Sequence, residues 1–417
     1  MGAQKKNIMV PQLRFKEFDG EWERKKFGNI SVKVGSGSTP KGGSEVYQDS
    51  GIPFIRSQNV IDGKLILDGI CISEDINSKM KGSIVKSEDI LLNITGGSIG
   101  RSCIVPNDFE IGNVNQHVCI IRLNKNNSPK FIQSFISSYK GQKLILQRQT
   151  GSGREGLNFQ SIRLFNVFIP SHPEQQKIAS FLTAVDKKLQ QLTTKKEQLE
   201  HYKKGVMQQL FSQQLRFKDD DGNDFPDWEK KRFSKYIKLY RGSSPRPIIK
   251  YTTTESDGVN WIKIGDTKNS NNYRISDVAE KITKKGSLKS RFVRKGEIIL
   301  ANSMSFGKSY LLEIEGCIYD GWFVLREYED FLNREYLLHL LNSEFLQKQY
   351  LRLSTGGVVQ NISSDIVYST IIICPTQKEQ QKIATYLSAL DAKIETVAGQ
   401  LLKTQEFKKG LLQRLFV

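Results

Sequence analysis

The chain has 417 residues, with 62 Lys and Arg against 44 Asp and Glu and a net charge of +18. An excess of that size concentrates a polyanion around the molecule and points to nucleic acid as the partner. No apolar run of 18 residues and no secretory leader is present, and the five cysteines (Cys71, Cys103, Cys119, Cys317, Cys374) show no CxxC spacing. A membrane span and a disulfide framework are therefore not expected, and a cytoplasmic protein with buried, reduced thiols is.

Residues 1–12 form an N-terminal tail before the first recognisable pattern. From Leu13 the string LRFKEFDGEWERKKF leads into a globular segment, followed by SGSTP ending at Pro40 and IPFIRSQNV from Ile52. Short apolar runs from Ile90 to Ile94 and from Val118 to Leu123, bounded by Gly and Asn, predict strands. Between them, TGGSIG from Thr95 predicts a strand-to-strand turn. A helix is expected from Pro129 to Arg148, with Phe131, Phe135 and Tyr139 on one face. A Gly-rich loop, TGSGREGLNF from Thr150, then precedes a strand ending at Pro170.

Beyond Pro170 the period changes. Ile178, Leu182, Val185, Leu189, Leu192, Lys196, Leu199, Lys203, Val206 and Leu210 alternate in steps of four and three, and eight of these ten positions are apolar. That period of 3.5 predicts a supercoiling helix of about 38 residues, roughly 57 Å at 1.5 Å per residue. A helix of this length needs a partner.

The second half repeats the first. EQQKIASFLTAVDKKL from Glu174 returns as EQQKIATYLSALDAKI from Glu379, 205 residues later, and the seam continues through Ile383, Leu387, Leu390, Ile394, Val397, Leu401, Thr404, Lys408, Leu411 and Leu415. LRFKDDDGNDFPDWEKKRF from Leu215, RGSSP ending at Pro245, VNWIKIGDT from Val259, KGEIILANSMSFGKS from Lys295 and TGGVVQNI from Thr355 recur in the same order. Strands are expected at Glu297 to Ala301 and Trp322 to Leu325, and a helix from Asn333 to Leu353 carrying Leu337, Leu341 and Phe345. The chain thus reads as a tandem duplication, with segments 13–170 and 214–375 and long helices at 171–213 and 376–417. The seam lysines Lys196, Lys203 and Lys408 fit either antiparallel pairing of the helices or surface exposure. The helices carry +5 of the net charge, so +13 lies mostly on the globular segments.

No catalytic pattern emerges. All eleven prolines are isolated, so the (Asp/Asn)-Pro-Pro-aromatic loop of a DNA methyltransferase is absent. The glycines of TGGSIG are mostly lost in the counterpart SMSFG from Ser303, which argues against a phosphate cradle. PDWEKK at Pro226 suggests a nuclease metal pair, but DGEWERKK from Asp19 moves the acids. His117, His172, His201 and His339 are scattered without metal-ligand spacing.

The ordered, duplicated strings GSTP, IPFIR, ILLNITGGSIGR, NVNQ, the Gly-rich loop with an Asn, and PEQQKIA resemble the specificity subunit of Type I restriction-modification systems. The resemblance implies an α+β chain of two tandem target-recognition domains, each followed by a spacer helix, the two helices pairing as an antiparallel coiled coil. Each domain would read one half of a split, asymmetric double-stranded DNA target, and the coiled coil would set the gap. Two methyltransferase (modification) subunits, acting on adenine, and two restriction (motor-nuclease) subunits would be partners. S-adenosylmethionine, ATP and Mg would belong to those subunits, with no cofactor, metal or catalytic residue on this chain. Base reading requires polar side chains on loops held by a sheet. Candidates are Arg56, Gln58, Asn59, Arg101, Asn115, Gln116, Arg154 and Asn158 in the first domain, and Lys263, Asp266, Ser305, Lys308, Gln360 and Asn361 in the second. NVNQ from Asn113 becomes CIYDG from Cys317, and Arg56 becomes Lys263, as different half-sites would require. A fused methyltransferase or nuclease, or a basic coiled-coil scaffold without sequence readout, are the alternatives.

Overall fold

The computed structural model describes residues 10–61, 63–149, 156–270, 272–303, 307–354 and 361–417. The chain divides into two compact units, Met1–Gln191 with Leu401–Val417 (unit 1) and Leu192–Gln400 (unit 2). The division falls inside the long helices rather than at their ends, because each unit gathers a stretch of both.

In unit 1 a four-stranded antiparallel sheet places Val118–Leu123 between Ser31–Ser36 and Ile90–Asn93, with Ser102–Ile104 beyond. Ile90–Leu92 and Val118–Ile121 read as unbroken apolar runs because both of their faces are covered. Ile90, Leu92, Cys119 and Ile121 face a core with Phe131, Phe135 and Ile136. Leu91, Val118 and Ile120 alternate onto the opposite face with Ile55, Val85 and Val114. Those three residues come from a second sheet, in which Ile52–Ile55 runs parallel to Gly112–Val114, flanked by Cys71–Ile72 and Ile84–Val85. A third pairing, Glu23–Lys26 with Asn166–Ile169, ties entry to exit.

Unit 2 repeats this plan. Trp322–Arg326 lies between Lys238–Arg241 and Ile298–Ala301, with Ser309–Leu312 and Arg274–Ile275 beyond. Ile298, Leu300, Phe323 and Leu325 face one core, and Ile299, Ala301, Trp322 and Val324 the other. Val259–Ile262 runs parallel to Gly316–Ile318, and Glu229–Arg232 pairs with Ile371–Cys374. The TGGSIG stretch is a turn, Gly96–Ser98, between two strands, as expected.

The helices expected over Pro129 to Arg148 and Asn333 to Leu353 are each two helices: Pro129–Ser137 and Tyr139–Gln147, and Arg334–Asn342 and Glu344–Leu353. Ser138 and Ser343 sit in extended backbone and end one helix while capping the next, Ser138 Oγ accepting from Gly141 N and Ser343 Oγ from Leu346 N. Apolar periodicity runs through the break, so the seam of the sequence hides it. Phe131 and Phe135 are buried as expected, whereas Tyr139, past the break, is 65% exposed.

The long helices are α1 (His172–Phe211) and α2 (Gln377–Arg414). The repeated Glu-Gln at their starts is a fastening. Buried Glu174 accepts from Arg14 Nε and Nη2, both at 2.8 Å, and from Trp22 Nε1 at 3.2 Å. Buried Glu379 accepts likewise from Arg216 and, at 2.8 Å, from Trp228. Gln175 accepts from Ser128 N and donates to Pro170 O, and Gln380 accepts from Asn333 N and donates to Pro375 O. PDWEKK and DGEWERKK are therefore the strand entries that present this Trp.

The helices pair with each other. In unit 1, Asp186 of α1 binds Lys408 of α2 and Lys130, and in unit 2, Lys203 of α1 binds Asp391 of α2. Within unit 1, neighbouring Leu13 and Arg14 bind Arg414 O of α2 and Glu174 of α1, while Asp186, further along α1, meets Lys408, further back along α2, so the two helices run antiparallel there. Asp391 and Lys408 lie 205 residues after Asp186 and Lys203, so the two ion pairs are one contact made twice. This is the physical use of a duplicated helix: each copy supplies the partner for the other. The seam lysines Lys203 and Lys408 are paired across the seam, while Lys196 binds Glu200 on its own helix.

Candidate nucleic-acid interface

In each unit the second sheet carries two parallel strands whose carboxyl ends lie side by side, Ile55 with Val114 and Ile262 with Ile318. The chain that leaves those ends holds seven of the fourteen polar side chains picked out by sequence: Arg56, Gln58, Asn59, Asn115, Gln116, Lys263 and Asp266. In unit 1, Arg56 opens a single 3₁₀ turn, Ser57–Asn59, and its guanidinium binds Asp68 at 2.5 Å. Gln58 Nε2 donates to the same carboxylate oxygen at 2.6 Å. In unit 2, Lys263 opens the corresponding turn and binds Glu280.

Asn59 and Asp266 serve the turn itself. Asn59 Oδ1 accepts from Arg56 N and its Nδ2 donates to Ile66 O, and the side chain is 2% exposed. Asp266 accepts from Lys263 N with one oxygen and from Ala279 N with the other. Both stabilise the backbone under the basic residue rather than face outward.

The GS-(Ser/Thr)-P strings supply the second wall. A Cβ on Gly37 would lie 1.7 Å from Val114 O, and one on Gly242 2.0 Å from Tyr319 O, so only glycine lets the string press onto the strand end. The hydroxyl two residues on then reaches the outgoing chain: Thr39 Oγ1 donates to Gln116 Oε1, and Ser244 Oγ donates to Asp320 Oδ1 at 2.5 Å. Ser244, Arg246, Trp261, Lys263, Glu280, Tyr319 and Asp320 line one cavity of about 750 Å³. Of these only Lys263 was singled out by sequence. Asp320 stands in the string CIYDG, whose departure from NVNQ was its signal.

Asn115 directly follows the strand end at Val114, and the remaining candidates lie elsewhere. Asn115 is buried and accepts from His117 N, shaping the bend that exposes Gln116. Arg101 is exposed after the Gly96–Ser98 turn, with no side-chain hydrogen bond among the described residues. Lys308 lines a different cavity, of about 440 Å³, with Lys203, Lys204 and Tyr273. Burial holds its ammonium below the ordinary lysine value, and it lies 5.9 Å from the centre of the Tyr273 ring. Asn158 caps the helix Phe159–Arg163 through Ser161 N at 2.7 Å. Its counterpart is the capping Ser363, 205 residues on, and not Asn361, which is exposed two residues earlier. Arg154, Ser305 and Gln360 lie outside the described residues.

The arrangement is a pair of rigid platforms, each presenting guanidinium, ammonium, amide or carboxylate groups at one sheet end, in a chain of high positive charge. Such groups match base-edge donors and acceptors. The family described as Type I restriction modification DNA specificity domain matches residues 19–201 and again 227–404. The chain belongs to that family. Among the specificity subunits, the putative type I restriction enzyme MjaX specificity subunit of Methanocaldococcus jannaschii is 22% identical over 411 residues, covering 96% of this chain and 93% of that one. The MjaVIII specificity subunit of the same organism is 22% identical over 423 residues, covering 96% and 94%. The solved structure of a Type I restriction-modification S subunit from M. genitalium shares the fold, with a TM-score of 0.59 and 14% identity over 98% of this chain and 99% of that one. As a specificity subunit with two tandem recognition domains, the chain is a DNA-recognition component of a restriction-modification system, and no helix among its described residues is long and apolar enough to cross a membrane.

Proposed function

We propose that unit 1 and unit 2 each read one half of a bipartite, asymmetric double-stranded DNA target, and that the chain itself performs no chemistry. The observation that carries this reading is the duplicated polar cluster. The same strands, glycine and hydroxyl present Arg56, Gln58 and Gln116 in one unit but Lys263, Arg246 and Asp320 in the other. Framework kept and reading groups exchanged is the arrangement that two different half-sites require.

The antiparallel α1–α2 pair would set the number of unread base pairs and dock two adenine-methylating subunits. Surface side chains held in both copies support a single kind of partner bound twice. Leu146 and Leu351 occupy the same place in the repeat and are 68% and 50% exposed. Lys188 and Lys393 correspond likewise and are exposed. S-adenosylmethionine would belong to the methyltransferase subunits, and ATP and Mg to restriction subunits joining the same complex. Genome-wide mapping of methylated adenines, in a host carrying this chain and its methyltransferase partner, tests the proposal. The expected result is one motif with two different half-sites and a fixed gap. Methylation without a motif, or with a single contiguous one, would refute it.

A further inference from the structure

The two platforms differ most pointedly at one position. Gln116 and Asp320 are held by the same hydroxyl of the same turn, yet an amide can donate and an ionised carboxylate only accepts. Asp320 is well fixed. Its backbone carbonyl accepts from Asn302 Nδ2 at 3.0 Å and from Arg241 Nε at 3.2 Å, and its Oδ1 is taken by Ser244. Arg246 Nη2 forms an ion pair with Oδ2 at 3.6 Å, beyond hydrogen-bonding distance, and among the described residues no side chain donates a hydrogen bond to Oδ2, which can therefore accept from an incoming donor. The Ser244 hydroxyl holds the carboxyl below the usual carboxylate range, which keeps it charged at neutral pH. The side chain remains 42% exposed, at the mouth of the cavity that Trp261 and Tyr319 line.

A carboxylate on the DNA-facing side of a basic domain costs affinity through phosphate repulsion unless a donor meets it, so its use is discrimination rather than attraction. In the major groove the donors are the exocyclic amino groups, N6 of adenine and N4 of cytosine. Guanine O6 and thymine O4 present acceptors in their place. Resting on the reading that unit 2 contacts one half-site, we propose that Asp320 reads an adenine or cytosine amino group there, and that it excludes guanine and thymine on that strand by setting acceptor against acceptor. Ser244 is the positioning residue. Gln116, whose amide carries donors, faces the equivalent position of the other half-site without that exclusion, so one exchange on a common frame makes the target asymmetric.

The test uses the full chain with its methyltransferase partner. Asp320→Ala and Asp320→Asn are compared with the parent by adenine-methylation mapping, and Gln116→Ala marks the half-site read by unit 1. Asp320→Ala should make one position of the other half-site degenerate, with discrimination falling roughly 5- to 150-fold, the range of one good base contact. Asp320→Asn should admit guanine or thymine at that position, and Ser244→Ala should relax the same position more weakly. In binding assays, the parent should lose a similar factor on a duplex whose base at that position lacks the amino group, purine for adenine or 2-pyrimidinone for cytosine. Asp320→Ala should be indifferent to that change. An unaltered motif, or methylation reduced equally at all sites, would overturn the assignment of Asp320 while leaving the bipartite reading intact. A parent protein that yields no bipartite motif would instead sink the reading beneath it.

Discussion

Glu379→Gln removes one charge from the best-fastened point of unit 2 without changing its shape. Glu379 is fully buried and receives Arg216 Nε at 3.2 Å, Arg216 Nη2 at 3.0 Å and Trp228 Nε1 at 2.8 Å. The amide turns one acceptor into a donor that faces donors and leaves the guanidinium with only the exposed Asp227, 3.7 Å away, as counter-charge. Breaking a buried ion pair on one side costs about 3–5 kcal/mol. The Arg216 side chain is 23% exposed, and water can recover part of that, giving about 2–4 kcal/mol. Hydrogen exchange of the full chain reads the loss locally, since the paired strands Glu229–Arg232 and Ile371–Cys374 adjoin Trp228 and Glu379 in sequence. Amide protection there should fall roughly 30- to 1000-fold, while Glu23–Lys26 and Asn166–Ile169 in unit 1 keep theirs. Glu174→Gln should reverse the pattern. A loss under about threefold, or an equal loss in both strand pairs, would show that the repeated Glu does not fasten each helix to its own domain.

Acid should weaken unit 2 before unit 1. His339 is buried, its ring nitrogens have no hydrogen-bond partner among the described residues, and burial, followed by the charges of Lys203 and Arg274, lowers its pKa to about 3; Asp391, 3.8 Å away, is too distant to hydrogen-bond it. The unfolded chain therefore binds a proton that the folded chain refuses, and stability falls with pH below 6.5, by about 1.5 kcal/mol between pH 6.5 and 5. Asp391, whose carboxyl burial raises, has the opposite sign but acts nearer the carboxylate range. Exchange in Arg334–Asn342 should show this slope, Pro129–Ser137 should not, because Ser134 occupies the equivalent place, and His339→Leu should abolish it. A chain ending at residue 212 should dimerise, because Asp186 of one copy can meet Lys203 of the other where the full chain uses Lys408. A monomer by light scattering would count against the antiparallel pairing as the reason for the duplication.

The amino-acid sequence by itself determined the architecture of this protein. Order and spacing of repeated strings, a 3.5-residue period and strand-length apolar runs are local signals, and the strands, both long helices and the tandem plan follow from them. The seam lysines alone left the pairing of the helices open, and the ion pairs Asp186–Lys408 and Lys203–Asp391 decided it. Tertiary structure decided what the polar residues do. Asn59 and Asp266 carry the composition of base readers but are spent on the backbone of a turn, and Asn158 on a helix cap, because which donor lies nearest depends on folding. Ser138 and Ser343 break helices that periodicity carries straight through. Asp320 shows the reverse case. Ser244 lies 76 residues away in sequence, and only the parallel strand ends, pressed by Gly242, bring its hydroxyl to that carboxylate. Period and propensity act over a few residues, whereas a site is made by contacts across many, and no local pattern encodes them.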